Sequence, residues 1–88
     1  MQNLIIAYCQ YDIKWKDKSA NYSICEDLFN SLSEQVDVVF LPEMFASGFC
    51  FDLKDVAEKM DGSTTLRWMI TQAAQRKVSI VGSIAICD

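Results

Sequence analysis

The chain has 88 residues, 51% of them hydrophobic and 23% charged, with 8 Lys and Arg against 12 Asp and Glu for a net charge of -4. Such a length allows one small domain or a piece of a larger one, and such a balance excludes a disordered chain. The basic residues are scattered, so no nucleic-acid partner is expected, and no apolar run is long enough to span a membrane.

Met1 leads directly into "QNLIIAYCQ", with no basic start and no small-residue cleavage site. This reads as a strand, not a signal peptide, and predicts a cytoplasmic protein. The four cysteines, Cys9, Cys25, Cys50 and Cys87, are far apart with no C-x-x-C pair, as expected of reduced thiols. There is no histidine, so zinc sites and His-based triads lack support, and neither a metal nor a cofactor is expected.

In chain order, the apolar run Leu4 to Cys9 is short enough and rich enough in Ile for a first strand. Trp15 follows in "DIKWKD" and reads as a loop anchor with a packed ring and a wet N–H. Tyr22, Cys25, Leu28, Phe29, Leu32 and Val36 then recur at three- and four-residue steps, which predicts an amphipathic helix capped by Ser19. Val36 to Leu41 is the second strand. Leu53, Val56, Ala57 and Met60 predict a short helix closed by Asp61-Gly62. Ser63 opens another, with Leu66, Met69, Ile70, Ala73 and Lys77 on its inner stripe. Trp68 falls almost opposite that stripe, so it is either partly exposed or packed against something outside the helix, such as another subunit. Val78 to Ile86 is the last strand.

The order β-α-β-(α)α-β predicts an α/β fold with parallel strands joined by right-handed crossovers. The strands are apolar on both faces, yet two main helices cover both faces only if the strand order reverses. If it advances one way, one face stays bare. The chain also stops at Asp88, directly after a strand. Both features predict a piece of something longer or a second layer supplied by a partner, and a homo-oligomer is expected.

"VVFLPEMFASGF" carries the chemistry. Glu43 lies just past the carboxyl end of the second strand, the edge where ligands bind in open parallel sheets. Pro42 fixes its own φ and keeps Leu41 extended, so the carboxylate leaves the strand in a constrained direction. Met44, Phe45 and Phe49 are expected to desolvate it, so that it takes and returns protons near neutrality. The plainer alternative is a loop glutamate that caps a helix or points to water. Met44 and Phe45 either line a substrate pocket or pack the core. Gly48 meets a backbone need, a positive φ or close packing. Cys50 shares the loop, but nothing nearby supplies a positive charge or helix start to activate it. Cys9, Cys25 and Cys87 read as small core residues, and Lys14, Lys54, Lys59 and Lys77 as solvated surface charges.

"FLPEMFASGF", with "YDIKWKDKSANYSICEDL" before it and "AEKMDGSTTLRWMITQAAQRKVSIVGSIAI" after it, resembles the opening of a nitrilase-superfamily carbon-nitrogen hydrolase. It is most similar to the omega-amidase-like branch, through Leu41-Pro42-Glu43-Met44-Phe45, Gly48-Phe49, Met60-Asp61-Gly62 and Gly82-Ser83. The resemblance implies that residues 1–88 are the N-terminal, incomplete part of such a domain. They would form a β-α-β-α-β portion, mostly of parallel strands, of an α-β-β-α sandwich. It also implies a Glu-Lys-Cys mechanism with Glu43 as general base, no cofactor, and a small carboxylate-bearing amide as substrate, such as an omega-amide of a 2-oxo acid. The family's lysine and cysteine segments are not among these 88 residues, so the isolated chain is expected to be inactive. The competing reading is a small non-catalytic α/β module that binds a partner or assembles through its exposed sheet face.

Overall fold

The computed structural model of the chain describes residues 3–49 and 53–87. Strands β1 (Ile6–Tyr8), β2 (Val38–Phe40) and β3 (Ser79–Val81) form one parallel sheet in the order β1-β2-β3. Val38 pairs with Ile6 and Ser79, and Phe40 with Tyr8 and Val81. Helix α1 (Lys18–Asn30) joins β1 to β2, and helix α2 (Thr64–Arg76) precedes β3.

Because the strand order advances one way, right-handed crossovers put both helices on one face. The central inward residue, Val39, is fully buried in a core that includes Cys25 and Phe29 of α1 and Met69 of α2. On the other face Ile6, Tyr8 and Val81 are exposed, Tyr8 at 74%, and the Tyr8 ring stacks on Phe40 at 5.2 Å between centroids. The bare apolar face expected for a strand order that advances one way is present in this chain.

Each strand is shorter than its apolar run, and the third shows why. At Gly82 an added Cβ would lie 3.0 Å from Cδ1 and Cε1 of Phe45, tight enough that the ring would have to shift. The backbone passes flat over that ring and leaves the sheet. It pairs again only at the parallel bridge between Ile86 and Glu58, where the Glu58 N–H donates to Ala85 O at 2.8 Å and the Cys87 N–H to Glu58 O at 2.9 Å.

The helices correct four expectations. Asp17, not Ser19, caps α1, its carboxylate accepting from the Ala20 N–H at 3.1 Å, and the helix ends at Asn30, before Leu32 and Val36. Between Leu53 and Met60 there is no α-helix. A single 3-10 turn, Leu53–Asp55, is followed by the extended Glu58 bridge, which competes for the same backbone groups. Ser63 does cap α2, accepting from the Leu66 N–H at 3.1 Å, but the buried face is Thr65, Met69 and Gln72, while Ile70 is 61% exposed. Hydrogen bonds from Thr65 to Glu58 and from Gln72 to Glu26 make these polar residues suited to the interior. An apolar stripe cannot reveal them. Trp68 packs within the chain, its ring 4.9 Å from Tyr22, 5.9 Å from Phe29 and 5.7 Å from Phe45.

Glu58 ties the helices together. Its side chain is 10% exposed and accepts from Lys18 Nζ at 2.7 Å, Ser63 Oγ at 2.6 Å, the Thr65 N–H at 2.9 Å and the Thr65 hydroxyl. Burial pushes the Glu58 carboxyl up, but the bonds from Lys18, Ser63 and Thr65 outweigh it and hold the group down at about 2, against an ordinary 4.5. A pKa lower in the folded than in the unfolded chain stabilises the fold fully above 4.5, and that contribution is lost as pH falls toward 2. Chemical denaturation at decreasing pH is therefore expected to show a loss of up to about 3 kcal/mol in that window, much reduced in Glu58→Gln. An unchanged slope in the variant would assign the acid sensitivity elsewhere.

Candidate active site

The chain leaves β2 through Leu41, whose N–H still donates to Val81 O at 2.9 Å, and Pro42. Glu43 begins the turn that follows, at the carboxyl end of the central strand. Residues 45–48 of that turn are buried, although they belong to no strand or helix. Buried irregular backbone needs partners, because a carbonyl removed from water without a donor costs stability.

The partners are present at every carbonyl from 44 to 49. Met44 O accepts from the N–H groups of Ser47 at 3.1 Å and Gly48 at 2.7 Å. Phe45 O accepts from the Tyr11 hydroxyl at 2.7 Å, and Ala46 O from Asn21 Nδ2 at 2.6 Å. Ser47 O accepts from the Lys16 N–H at 2.8 Å, Gly48 O from Ser47 Oγ at 3.1 Å, and Phe49 O from Trp15 Nε1 at 3.0 Å. Two residues take left-handed conformations, Met44 at φ 52 and Gly48 at φ 75. For Gly48 the positive φ meets the backbone need read from the sequence. Met44 is held by its own N–H, which donates to Ser83 Oγ at 2.8 Å.

Asn21 is the central staple. It has no exposed surface, its Oδ1 accepts from the Lys14 N–H at 2.8 Å, and its Nδ2 donates to both Lys14 O and Ala46 O. It joins α1, the loop after β1 and the turn after β2. Tyr11 acts as a neutral donor, since burial pushes its phenol well above the ordinary range.

The turn changes the expected surroundings of Glu43. Phe45 points into the core with no exposed surface, Met44 is half-buried, and Phe49 is exposed. The apolar neighbours that were expected to desolvate the carboxylate therefore do not cover it, and Glu43 is exposed in this chain. The physical reason is that the turn uses Phe45 for the interior and sends residue 43 outward. Phe45 serves the core in this chain, whereas Met44 lines a small hollow of about 10 Å³ beside Ser83 and Glu58. A hollow of about 310 Å³ among Phe29, Val36, Arg76 and Val78 lies at the opposite, amino-terminal edge of the strands.

The described cysteines are free thiols. Burial pushes the Cys9 thiol up and the Cys25 thiol up to about 11, which makes both poor nucleophiles. Cys87 is exposed, contrary to its reading as a core residue, because the strand that would have buried it ends at Val81. Cys50 lies outside the described residues. Lys14, Lys54, Lys59 and Lys77 are exposed at the surface. Trp15 differs from expectation, with its ring largely exposed under the Lys16 ammonium at 4.6 Å and its N–H bonded to protein. Among the described residues no group of His, Cys, Asp and Glu is arranged to hold a metal, and no helix is long and apolar enough to cross a membrane.

The family model for carbon-nitrogen hydrolases matches residues 5–86, nearly the whole chain. The chain belongs to the carbon-nitrogen hydrolase family. It is 31% identical over 86 residues to the omega-amidase YafV of Escherichia coli K12, and 30% identical over 82 residues to the 2-oxoglutaramate amidase of Bacillus subtilis. These alignments cover 98% and 92% of this chain but 32% of each relative, so the chain spans about a third of the length of the relatives it matches. A crystal structure of a CN-hydrolase superfamily protein from Xanthomonas campestris, with an arsenic adduct in its active site, superposes with a TM-score of 0.89 at 39% identity. That match covers all of this chain and 33% of the other. The three-stranded parallel sheet and two helices are thus a portion of the hydrolase superfamily's fold.

Of the residues that hold the turn, Ser83 entered only within the Gly82-Ser83 segment of the family resemblance, and Tyr11 and Asn21 were not singled out by their sequence pattern. Asn21 could have been, since Asn21, Cys25 and Phe29 form a four-residue repeat that is the buried face of α1. An amide on such a face must be bonded. Asn21→Leu is expected to lower stability to urea by about 2–4 kcal/mol, because it leaves Ala46 O and the Lys14 N–H without their partner. A loss below about 0.5 kcal/mol would show that the staple is dispensable.

Proposed function

We propose that Glu43 is the general base of an amidase, and that this chain is the N-terminal part of that enzyme. The nucleophilic cysteine and the lysine that steadies the oxyanion would come from segments outside the 88 residues. In this reading Glu43 takes the thiol proton as sulfur attacks the amide carbon. It returns the proton to the departing nitrogen so that ammonia leaves, then activates the water that hydrolyses the thioester. The observation that carries the reading is the site itself: an exposed carboxylate at the carboxyl edge of a parallel sheet, on a turn with every carbonyl from 44 to 49 hydrogen-bonded. Met44, beside the base, is the side chain of this chain best placed to border the substrate.

The substrate class follows from the relatives named omega-amidase and 2-oxoglutaramate amidase. By that likeness it is a small amide that also carries a carboxylate. The bare face around Tyr8 and Phe40 fits the same account, as the surface that the second sheet of an α-β-β-α sandwich, or another copy, would dry. A non-catalytic assembly module would explain that face but not the fixed turn behind Glu43.

The isolated 88-residue chain is expected to release no ammonia from a simple amide. In the complete enzyme Glu43→Gln is expected to lower kcat by about 100-fold or more while leaving the circular dichroism spectrum unchanged. Ammonia release by the isolated chain that Glu43→Gln abolishes would overturn the division of the site, and undiminished turnover in the complete variant would overturn the role of Glu43.

A further inference from the structure

We propose that Gly82 and Ser83 form a clamp that sets the direction of Glu43, with Ser83 a positioning residue for the base. The inference rests on the reading of Glu43 as the base, and begins from a pair of residues that catalysis leaves unexplained. Gly82 lets the exit of β3 lie directly on the Phe45 ring, where a Cβ would stand 3.0 Å from two ring carbons. That close approach brings Ser83 Oγ to 2.8 Å from the Met44 nitrogen, across 39 residues of sequence.

The bond falls on the peptide between Glu43 and Met44. Met44 has φ 52, a conformation unfavourable for a residue with a long side chain, and its carbonyl is already occupied by the N–H groups of Ser47 and Gly48. With the N–H held by Ser83, both ends of Met44 are fixed. The peptide plane that begins at the Glu43 Cα cannot turn without breaking a bond, so the Cα–Cβ bond that carries the carboxylate keeps one direction from the sheet edge. Ser83 is exposed, and water can solvate the Met44 N–H once the hydroxyl is removed. Its loss should therefore free this peptide locally and leave the rest of the fold intact.

Amide hydrogen exchange in the full 88-residue chain tests the clamp. Ser83→Ala is expected to speed exchange at Met44 by about tenfold while the β2 amides stay within about twofold, and Ser83→Thr, which keeps the hydroxyl, is expected to restore the native rate. In the form of the protein that hydrolyses an amide, Ser83→Ala is expected to lower kcat by about tenfold with KM within about twofold, again restored by threonine. An unchanged Met44 rate in Ser83→Ala, equal acceleration of Met44 and β2, or no rescue by threonine would each overturn the proposal. If Ser83→Ala does not fold, the native chain decides: a Met44 amide exchanging as fast as a free peptide overturns the clamp, and a protected one supports it. If Ser83→Ala frees Met44 while Glu43→Gln leaves turnover intact, the clamp holds the turn but Glu43 is not the base.

Discussion

Six consecutive carbonyls, from Met44 to Phe49, leave the sheet without belonging to a strand or helix, and much of the fold is organised around giving each of them a donor. Groups of the turn itself serve Met44 O and Gly48 O, and the donors for the other four carbonyls must come from elsewhere in the chain. They come from Tyr11 and Trp15 in the loop after β1, from the Lys16 backbone, and from Asn21 on the first exposed-to-buried turn of α1. That demand explains why an 88-residue chain spends a tyrosine, a tryptophan and a fully buried asparagine on a single connection. It also explains why Glu43 can be exposed while the backbone that follows it is set from behind.

The other long-range contacts support the same turn at one remove. Trp68 of α2 stacks on Tyr22 and Phe29 of α1 and meets Phe45, so the helices close over the residue that anchors the turn to the core. Lys18 at the start of α1 reaches Glu58, which in turn holds Ser63 and Thr65 at the start of α2. The amino-terminal ends of both helices are thereby fixed near the carboxyl edge of the sheet. The opposite face of the sheet receives none of this attention. Of its aromatic pair, Tyr8 remains open to water in the single chain and Phe40 beneath it is half-buried.

The parallel pairing was legible because it follows from the alternation of apolar runs and helical patterns, whereas the strand order stayed open between reversing and advancing, and the bare face followed only once the order was seen to advance one way. Ser63 was legible as a cap for the same local reason. The cap at Asp17 was displaced by two residues, and the helix after Asp52 failed, because its three- and four-residue spacing competed with a backbone bridge to Ile86 that no local pattern contains. The site divides in the same way. Glu43 stood out through its position after a strand and Pro42, whereas Asn21 and Ser83 act through partners 25 and 39 residues away, so that the repeat containing Asn21 and the Gly82-Ser83 pair do not by themselves show what the two side chains hold. Phe45 was ambiguous between core and pocket from its composition, and only the direction of the turn distinguishes the two in this chain.

The central claim is that the backbone behind Glu43 is as rigid as regular structure despite being a loop. Backbone ¹⁵N relaxation on the 88-residue chain measures this directly. The account predicts order parameters of about 0.85 for residues 43 to 48, equal to those of α1 and α2. Values below about 0.6 across that turn, with the helices still rigid, would contradict it.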